Sequence, residues 1–112
     1  IGGVAGHMEK HAVRNGFGYF GQLQIARSLS VVTAACMLIK RAAFEAAGGF
    51  DAANLAVAFN DVDLCLKVRG AGYRIVWTPY AELYHLESAS RGSDADPANM
   101  ARLVERVRAA KR

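Results

Sequence analysis

Apolar and polar positions from residue 30 onward predict a strand followed by a short helix. From Ser30, the segment SVVTAACMLIKR is mostly β-branched or apolar, which favours a strand covered on both faces. Arg41–Ala47 then predicts a short helix, which Gly48 and Gly49 stop in C-cap positions. A strand followed by a helix indicates an α/β or α+β layer.

A second helix is predicted where two carboxylates open an amphipathic segment. Asn60 is a suitable N-cap, and Asp61 and Asp63 fall in the first turn, where the helix dipole favours negative charge. The apolar positions that follow at helical spacing are Leu64, Val68 and Ala71, before glycines at 70 and 72. The segment 73–79, YRIVWTP, predicts the next strand, and 81–88 predicts a further extended piece.

The C-terminal segment predicts a basic amphipathic helix. Asp96 is its cap and Pro97 occupies the first helical position. Its apolar face consists of Met100, Leu103, Val104 and Val107, with arginines around them. This pattern favours a helix that docks onto the domain. The alternative is attachment to an anionic membrane surface.

Length, charge and hydropathy limit the class of protein. The 112 residues suffice for one domain or part of one, and 53% hydrophobic with 21% charged residues is typical of globular proteins. The net charge of +4 is concentrated near the C-terminus, which argues against a DNA-binding face, so we expect no nucleic-acid partner. The longest apolar run, 31–39, is too short to span a membrane, and we expect no signal peptide.

Cysteine and histidine positions add little chemistry by themselves. Cys36 and Cys65 lie in apolar segments, so we expect buried free thiols and a reducing, cytoplasmic setting. The first 24 residues hold six of the eleven glycines and predict a loop. His7 and His11 within it are four apart, but they lack the His-Glu-x-x-His order of zinc proteases, so we expect no metal site there.

The two carboxylates of the second helix have different explanations. Asp63 lies three residues past Asn60, where a carboxylate can return a hydrogen bond to the cap. That explanation covers Asp61 less completely, because Asp61 follows an apolar approach that would suit a short acid facing a cleft. A helix N-terminus also favours the ionised form that a general base needs. His85 alone indicates an ordinary core or surface histidine, since one imidazole makes no metal site.

The order of motifs from residue 31 to 92 resembles one enzyme family. An apolar run ending in a basic residue is followed by Gly-Gly-Phe-Asp, an acidic pair opening a helix, Gly-Tyr-Arg-Ile-Val, a proline and Tyr-His. This order resembles the C-terminal half of the catalytic domain of glycosyltransferase family 2. The resemblance implies an α/β fold: the C-terminal part of the Rossmann-like GT-A fold, with a mixed sheet and flanking helices. It divides the chain into a glycine-rich acceptor-side loop region (1–30), the half-domain (31–92) and the basic helix (93–112).

The resemblance also implies a reaction and the residues that carry it. Family members transfer a sugar from a nucleotide-sugar donor to a hydroxyl of a saccharide or other acceptor, with inversion at the anomeric carbon. Asp61 matches the catalytic base, while Asn60 stands where a glutamate is usual. The residues expected near the acceptor are Gly48, Gly49, Asp51 and Asn60. His85 matches a histidine that helps bind a divalent ion, Mg²⁺ or Mn²⁺, on the donor diphosphate.

The family's nucleotide-binding N-terminal half, with its Asp-x-Asp motif, has no counterpart in the sequence. We therefore expect a fragment that is inactive alone, and that self-associates because its sheet edge is bare. The alternative is a non-catalytic saccharide-binding or protein-interaction module. We expect a cytoplasmic location, with peripheral membrane contact through the basic helix as a further option.

Overall fold

The computed structural model describes residues 16–55, 59–83 and 97–110. The elements in chain order are a first 3-10 turn (Tyr19–Gln24), β1 (Arg27–Leu29), a second 3-10 turn (Ala34–Cys36), α1 (Arg41–Ala46), α2 (Asn60–Gly70), β2 (Ile75–Trp77) and α3 (Pro97–Ala110). Strands β1 and β2 pair antiparallel, with Arg27 opposite Trp77 and Leu29 opposite Ile75. The described residues therefore combine helices with a small sheet, which agrees with the predicted α/β class in general terms. A two-stranded sheet does not test the GT-A fold.

The apolar run that predicted the first strand folds differently. Its centre forms the second 3-10 turn, in which the Thr33 hydroxyl accepts a hydrogen bond from Ala35 N at 3.2 Å. Such a local bond competes with strand pairing. Met37 and Ile39 pack against the core, whereas Leu38 between them is fully exposed. The run is therefore covered on one face, and the prediction of a strand buried on both faces is wrong.

Helix α1 and its glycine stop confirm the sequence prediction. The amides of Gly48 and Gly49 donate to the carbonyls of Glu45 and Phe44, each at 3.0 Å. Gly48 and Gly49 have φ of 78° and 68°, a left-handed region that favours glycine. A Cβ at Gly49 would lie 3.1 Å from Phe44 Cζ. The backbone therefore needs glycine at position 49 for both its conformation and its close approach to the ring.

Helix α2 supplies three of the six buried hydrophobic residues in the part of the chain that the structure describes. Leu64, Cys65 and Val68 are buried on it and cluster with Ile75 of β2. Complete burial of a leucine side chain stabilises a fold by about 1.5–3 kcal/mol. The predicted apolar face is thus confirmed at Leu64 and Val68, whereas Ala71 is an exposed C-cap.

The start of α2 differs from the prediction by one residue. Phe59 is the N-cap, with a left-handed φ of 62°, and Asn60 is already helical. Asp61 and Asp63 fall in the first turn, as predicted. The sequence favoured Asn60 because asparagine is a good capping residue, but the N-cap residue is Phe59, whose side chain makes no capping hydrogen bond.

The remaining predictions have mixed outcomes. Strand β2 lies inside the predicted segment 73–79, and α3 begins at Pro97 as expected. Cys65 is buried, but Cys36 is exposed because it ends a 3-10 turn on the surface. Residues His7, His11, His85 and Asp96 lie outside the described residues. Among the helices that the structure describes, none has the length and apolar character needed to cross a bilayer.

Candidate functional site

The carboxylate of Asp61 joins the first turn of α2 to the second 3-10 turn. Its Oδ1 accepts a hydrogen bond from Val62 N at 2.9 Å, and its Oδ2 accepts one from Ala34 N at 3.2 Å. The residue is half-buried. An ionised carboxylate offers about four lone-pair sites, so these two bonds fix its position and leave acceptor capacity on both oxygens.

Cys65 holds the same neighbouring segment one helical turn further along. Val32 N and Val32 O each lie 3.5 Å from Cys65 Sγ, the first as donor and the second as acceptor. Burial is the main cause that raises the pKa of the Cys65 thiol above its ordinary value of 9.0. Residues four apart share one face of a helix, so Asp61 and Cys65 together fix segment 32–34 against α2.

Asn60 brings a polar atom to the same end of α2. Its side-chain Oδ1 is buried and has no hydrogen-bond partner within the part of the chain that the structure describes. A buried acceptor without a partner costs about 1–3 kcal/mol. The first turn of α2 thus presents one anchored carboxylate and one unsatisfied amide oxygen in adjacent positions.

Asp63 is the buried member of an ion cluster made of Asp51, Asp63, Lys67 and Arg106. Its side chain is only 2% exposed. Oδ1 accepts from Arg106, and Oδ2 lies 2.9 Å from Lys67 Nζ, an ionic contact without hydrogen-bond alignment. Asp63 therefore does not return a bond to the helix cap, and that explanation of it is wrong. Two carboxylates and two cations balance the charge of the cluster.

Asp51 is the second carboxylate of the ion cluster and closes the turn that follows Gly49. It accepts bonds from Asn54 N at 3.1 Å and from Asn54 Nδ2 at 3.1 and 3.2 Å, and it also pairs with Arg106. The side-chain bond from Asn54, followed by its backbone bond and by Arg106, lowers the pKa of Asp51 below its ordinary value of 3.8. These contacts give Asp51 a structural role, and its predicted contact with an acceptor stays a prediction.

The turn formed by residues 48–54, here called the glycine turn, also contacts α2 and α3. Lys67 Nζ donates to Gly49 O at 2.7 Å, while Arg102 of α3 donates to Asn54 O at 2.7 Å. The structure thus brings Gly49 and Asp51 together with α2 through Lys67 and Arg106. The predicted docking of α3 is confirmed, and its attachment to a membrane stays a prediction.

The metal prediction has no test in the described residues. His85 lies outside them, and they contain no group of three or more His, Cys, Asp or Glu side chains that could hold an ion. The described residues alone therefore do not fit a metal centre.

Sequence reasoning missed Lys67 and Arg106 as partners of the carboxylates. Lys67 carried a detectable signal, because a lysine four residues after Asp63 on a helix is a common ion-pair spacing. Arg106 carried none, since its partners are 43 and 55 residues away in sequence.

Comparison with curated proteins relates part of the chain to a glycosyltransferase. The chain is 35% identical over 68 residues to N-acetylglucosaminyl-diphospho-decaprenol L-rhamnosyltransferase of Mycobacterium tuberculosis, which is 61% of this chain and 22% of that enzyme. It is 42% identical over 78 residues to the O-antigen biosynthesis protein RfbC of Myxococcus xanthus, 70% of this chain and 6% of RfbC. No family model matches the chain, and no solved structure matches it.

A longer match carries no functional name. The chain is 53% identical over 107 residues, or 96% of its length, to the uncharacterized protein y4gI of Sinorhizobium fredii, and it covers 12% of that protein. The chain spans less than a quarter of the length of each of these curated relatives. The relationship to glycosyltransferases therefore concerns a region, and the activity of a whole protein is a matter of proposal.

Proposed function

We propose that this chain is the acceptor-side part of an inverting, family 2-like glycosyltransferase domain of GT-A fold, with Asp61 as general base. The observation that carries the proposal is the half-buried Asp61 carboxylate at the N-terminal end of α2, which accepts hydrogen bonds from backbone amides of two different elements. The similarity of part of the chain to a rhamnosyltransferase supports the reaction class. Because that similarity is regional, the nucleotide-sugar donor and the acceptor are part of the proposal.

The proposed step uses the lone pairs of the Asp61 carboxylate that its two backbone hydrogen bonds leave unoccupied. The acceptor hydroxyl gives its proton to a carboxylate oxygen, while its oxygen bonds to the anomeric carbon of the donor. The bond from that carbon to the diphosphate breaks on the opposite side, so the configuration inverts and the nucleoside diphosphate leaves. A positioned general base contributes about 10²–10⁴-fold to such a rate.

The neighbouring residues have supporting roles in this proposal. Asn60 lies beside Asp61 in the first turn of α2 and is retained as an acceptor-binding residue on the family resemblance alone. Gly48 and Gly49 shape the turn beside α2, and Asp51 holds that turn through Asn54 and Arg106. His85 is retained as one expected ligand of a Mg²⁺ or Mn²⁺ ion on the donor diphosphate, on the family resemblance alone.

Nucleotide binding is proposed to come from protein outside this sequence. The resemblance assigns that part to an N-terminal half that the 112 residues do not contain. We therefore propose that the chain alone transfers no sugar. The test of Asp61 belongs in a protein that carries both halves.

The decisive experiment compares Asp61→Asn with Asp61→Ala. Asparagine keeps a side-chain oxygen that can accept from Ala34 N but is not a base, whereas alanine removes both functions. We expect both variants to lose at least about 10²-fold in turnover while donor binding is kept. Asp61→Ala should lower the melting temperature more than Asp61→Asn, because asparagine can keep one of the two backbone contacts. Unchanged turnover in Asp61→Asn would remove Asp61 from the mechanism. Saccharide binding by a wild-type protein that shows no transfer would favour the non-catalytic binding module.

A further inference from the structure

A cleft away from the ion cluster lies between the first 3-10 turn and the segment that follows β2. Its volume is about 290 Å³. The lining residues used below are Gly16, Gln24, Trp77, Thr78, Tyr80 and Glu82. Small-molecule sites usually measure roughly 300–1,000 Å³. The cleft therefore suits a ligand of one ring and is too small to enclose a complete nucleotide sugar.

The aromatic wall of this cleft is held in place before any ligand arrives. Arg27 lies directly across the sheet from Trp77, and its guanidinium carbon is 5.3 Å from the centroid of the indole ring. Arg27 also donates to the Gln22 side chain. A cation over the ring face at this distance is attractive. The indole is thus oriented by a neighbour that is itself fixed.

The rim of the cleft is also ordered. Tyr80 N donates to Thr78 Oγ1 at 3.3 Å, which closes a short turn around Pro79. On the opposite wall, Gln24 Nε2 donates to Gly16 O at 3.1 Å. Within this ordered turn the Tyr80 side chain remains 82% exposed. The Tyr80 ring and hydroxyl are therefore both accessible to a ligand in the cleft, and tyrosine combines an apolar ring with a hydrogen-bonding tip.

The chemistry of the lining selects a neutral, polyhydroxylated ring. Indole and phenol faces are electron-rich and attract the slightly positive C–H edges of a ligand, while the hydroxyls of Thr78 and Tyr80 can donate or accept hydrogen bonds. The described residues that line the cleft include no lysine or arginine, and Glu82 is acidic. A diphosphate would therefore find no cationic partner in the lining itself, which disfavours the donor as occupant.

We propose that this cleft is a binding subsite for one uncharged pyranose ring of a saccharide, with Trp77 and Tyr80 as its aromatic platform. The statement that the ring belongs to the acceptor rests on the function proposed above. Binding of the ring itself does not, because it requires neither Asp61 nor a donor. An experiment can therefore contradict pyranose binding by the cleft without contradicting the proposed role of Asp61, and the reverse also holds.

The sole tryptophan of the chain gives a direct test. Trp77 contributes a single indole N–H resonance, and we would titrate the ¹⁵N-labelled 112-residue chain with the methyl pyranosides of glucose, galactose, mannose and rhamnose. We expect at least one of them to shift this resonance saturably. We expect Tyr80→Ala to raise its Kd about three- to tenfold, the value of one aromatic contact. Tyr73 is an exposed tyrosine outside the cleft, so Tyr73→Ala should leave the Kd unchanged.

Three results would overturn the proposal. The first is an indole resonance that no pyranoside shifts; the second is a shift caused by uridine or uridine diphosphate but by no pyranoside, which would make the cleft a nucleotide site. The third is an equal loss of affinity in Tyr73→Ala and Tyr80→Ala. In a protein with both halves and measurable transfer, Tyr80→Ala should raise the acceptor KM by the same factor and leave kcat unchanged. An unchanged KM would contradict the link to the acceptor even if the indole titration succeeds.

Discussion

Two aspartates separated by one residue have different environments at the start of α2. Asp61 is half-buried and held by two backbone amides, whereas Asp63 is buried against Arg106 and Lys67. The side chains of Asp61 and Asp63 point in different directions, because residues two apart on a helix do not share a face. One carboxylate therefore remains open to chemistry while the other stabilises the fold.

The ion cluster predicts a selective loss of stability in Arg106→Ala. That variant would leave Asp63 buried with Lys67 as its remaining charged partner, and we expect the free energy of unfolding to fall by about 2 kcal/mol. Arg108→Ala is the matched control, because Arg108 is exposed and pairs with no acid in the described residues. Its effect should stay within about 0.5 kcal/mol. Urea unfolding of both variants measures the difference, and equal values would contradict a stabilising role for Arg106.

Helix α2 organises the elements around it. Its apolar side holds β2 and the run 31–39, its first turn holds the second 3-10 turn, and its charged side holds the glycine turn and α3. An element that is contacted from several sides tolerates little change in its position. The orientation of Asp61 therefore depends on all of these contacts.

The same helix shows how far sequence reasoning reached. Its first-turn acids and its buried Leu64 and Val68 follow from local spacing, which the sequence displays directly. The role of Asp63 depended on Arg106, a partner from a distant element that no local spacing reveals. The prediction of a strand around Leu38 was wrong for a related reason: apolar content alone does not specify whether one face of a segment or both faces are covered. The cleft was missed because Trp77 and Tyr80 meet Gln24 only after folding.

The glycine turn after α1 predicts graded effects of alanine substitution. Gly49→Ala should cost about 2–3 kcal/mol, because it adds left-handed strain and a contact of 3.1 Å with the Phe44 ring. Gly48→Ala has the strain but open space, and should cost about 1 kcal/mol. Gly70→Ala at the end of α2 should be neutral or stabilising by up to about 1 kcal/mol. Thermal unfolding would measure the order, and equal losses at 48 and 49 would exclude a role for the ring contact.

At the scale of the whole molecule, much apolar surface is left in water. Large exposed hydrophobic side chains include Phe17, Tyr19, Phe20, Leu38, Tyr80 and Leu83. Where exposed apolar side chains lie next to one another, they mark a contact with another protein or ligand. It fits the prediction that the chain in isolation associates with copies of itself.

Self-association can be tested by sedimentation velocity. We expect the average mass of the wild-type chain to rise with concentration in the micromolar range. Leu38→Ser should reduce that rise without loss of stability, because Leu38 is fully exposed and contributes no burial to the fold. A monomer at every concentration would contradict the prediction.

The stability of the chain should also depend on pH through Asp51. Its pKa is lowered in the folded state, so the stabilisation that it gives is fully present above its ordinary pKa of 3.8 and is lost as pH falls through the lowered value. We expect the free energy of unfolding to decline below pH 4. The decline should be shallower in Asp51→Asn, which cannot titrate. Identical pH profiles for the two proteins would show that Asp51 does not contribute to acid sensitivity.

Because Arg106 pairs with two acids, truncation of α3 affects residues far from the C-terminal end. A shortened polypeptide that stops before residue 106 loses the cation that Asp51 and Asp63 share. Such a protein would carry an excess of negative charge beside the turn that precedes α2. Removing what looks like a peripheral tail would therefore disturb the packing around α2 from a distance, and a loss of function in the trimmed protein would not by itself report on Asp61.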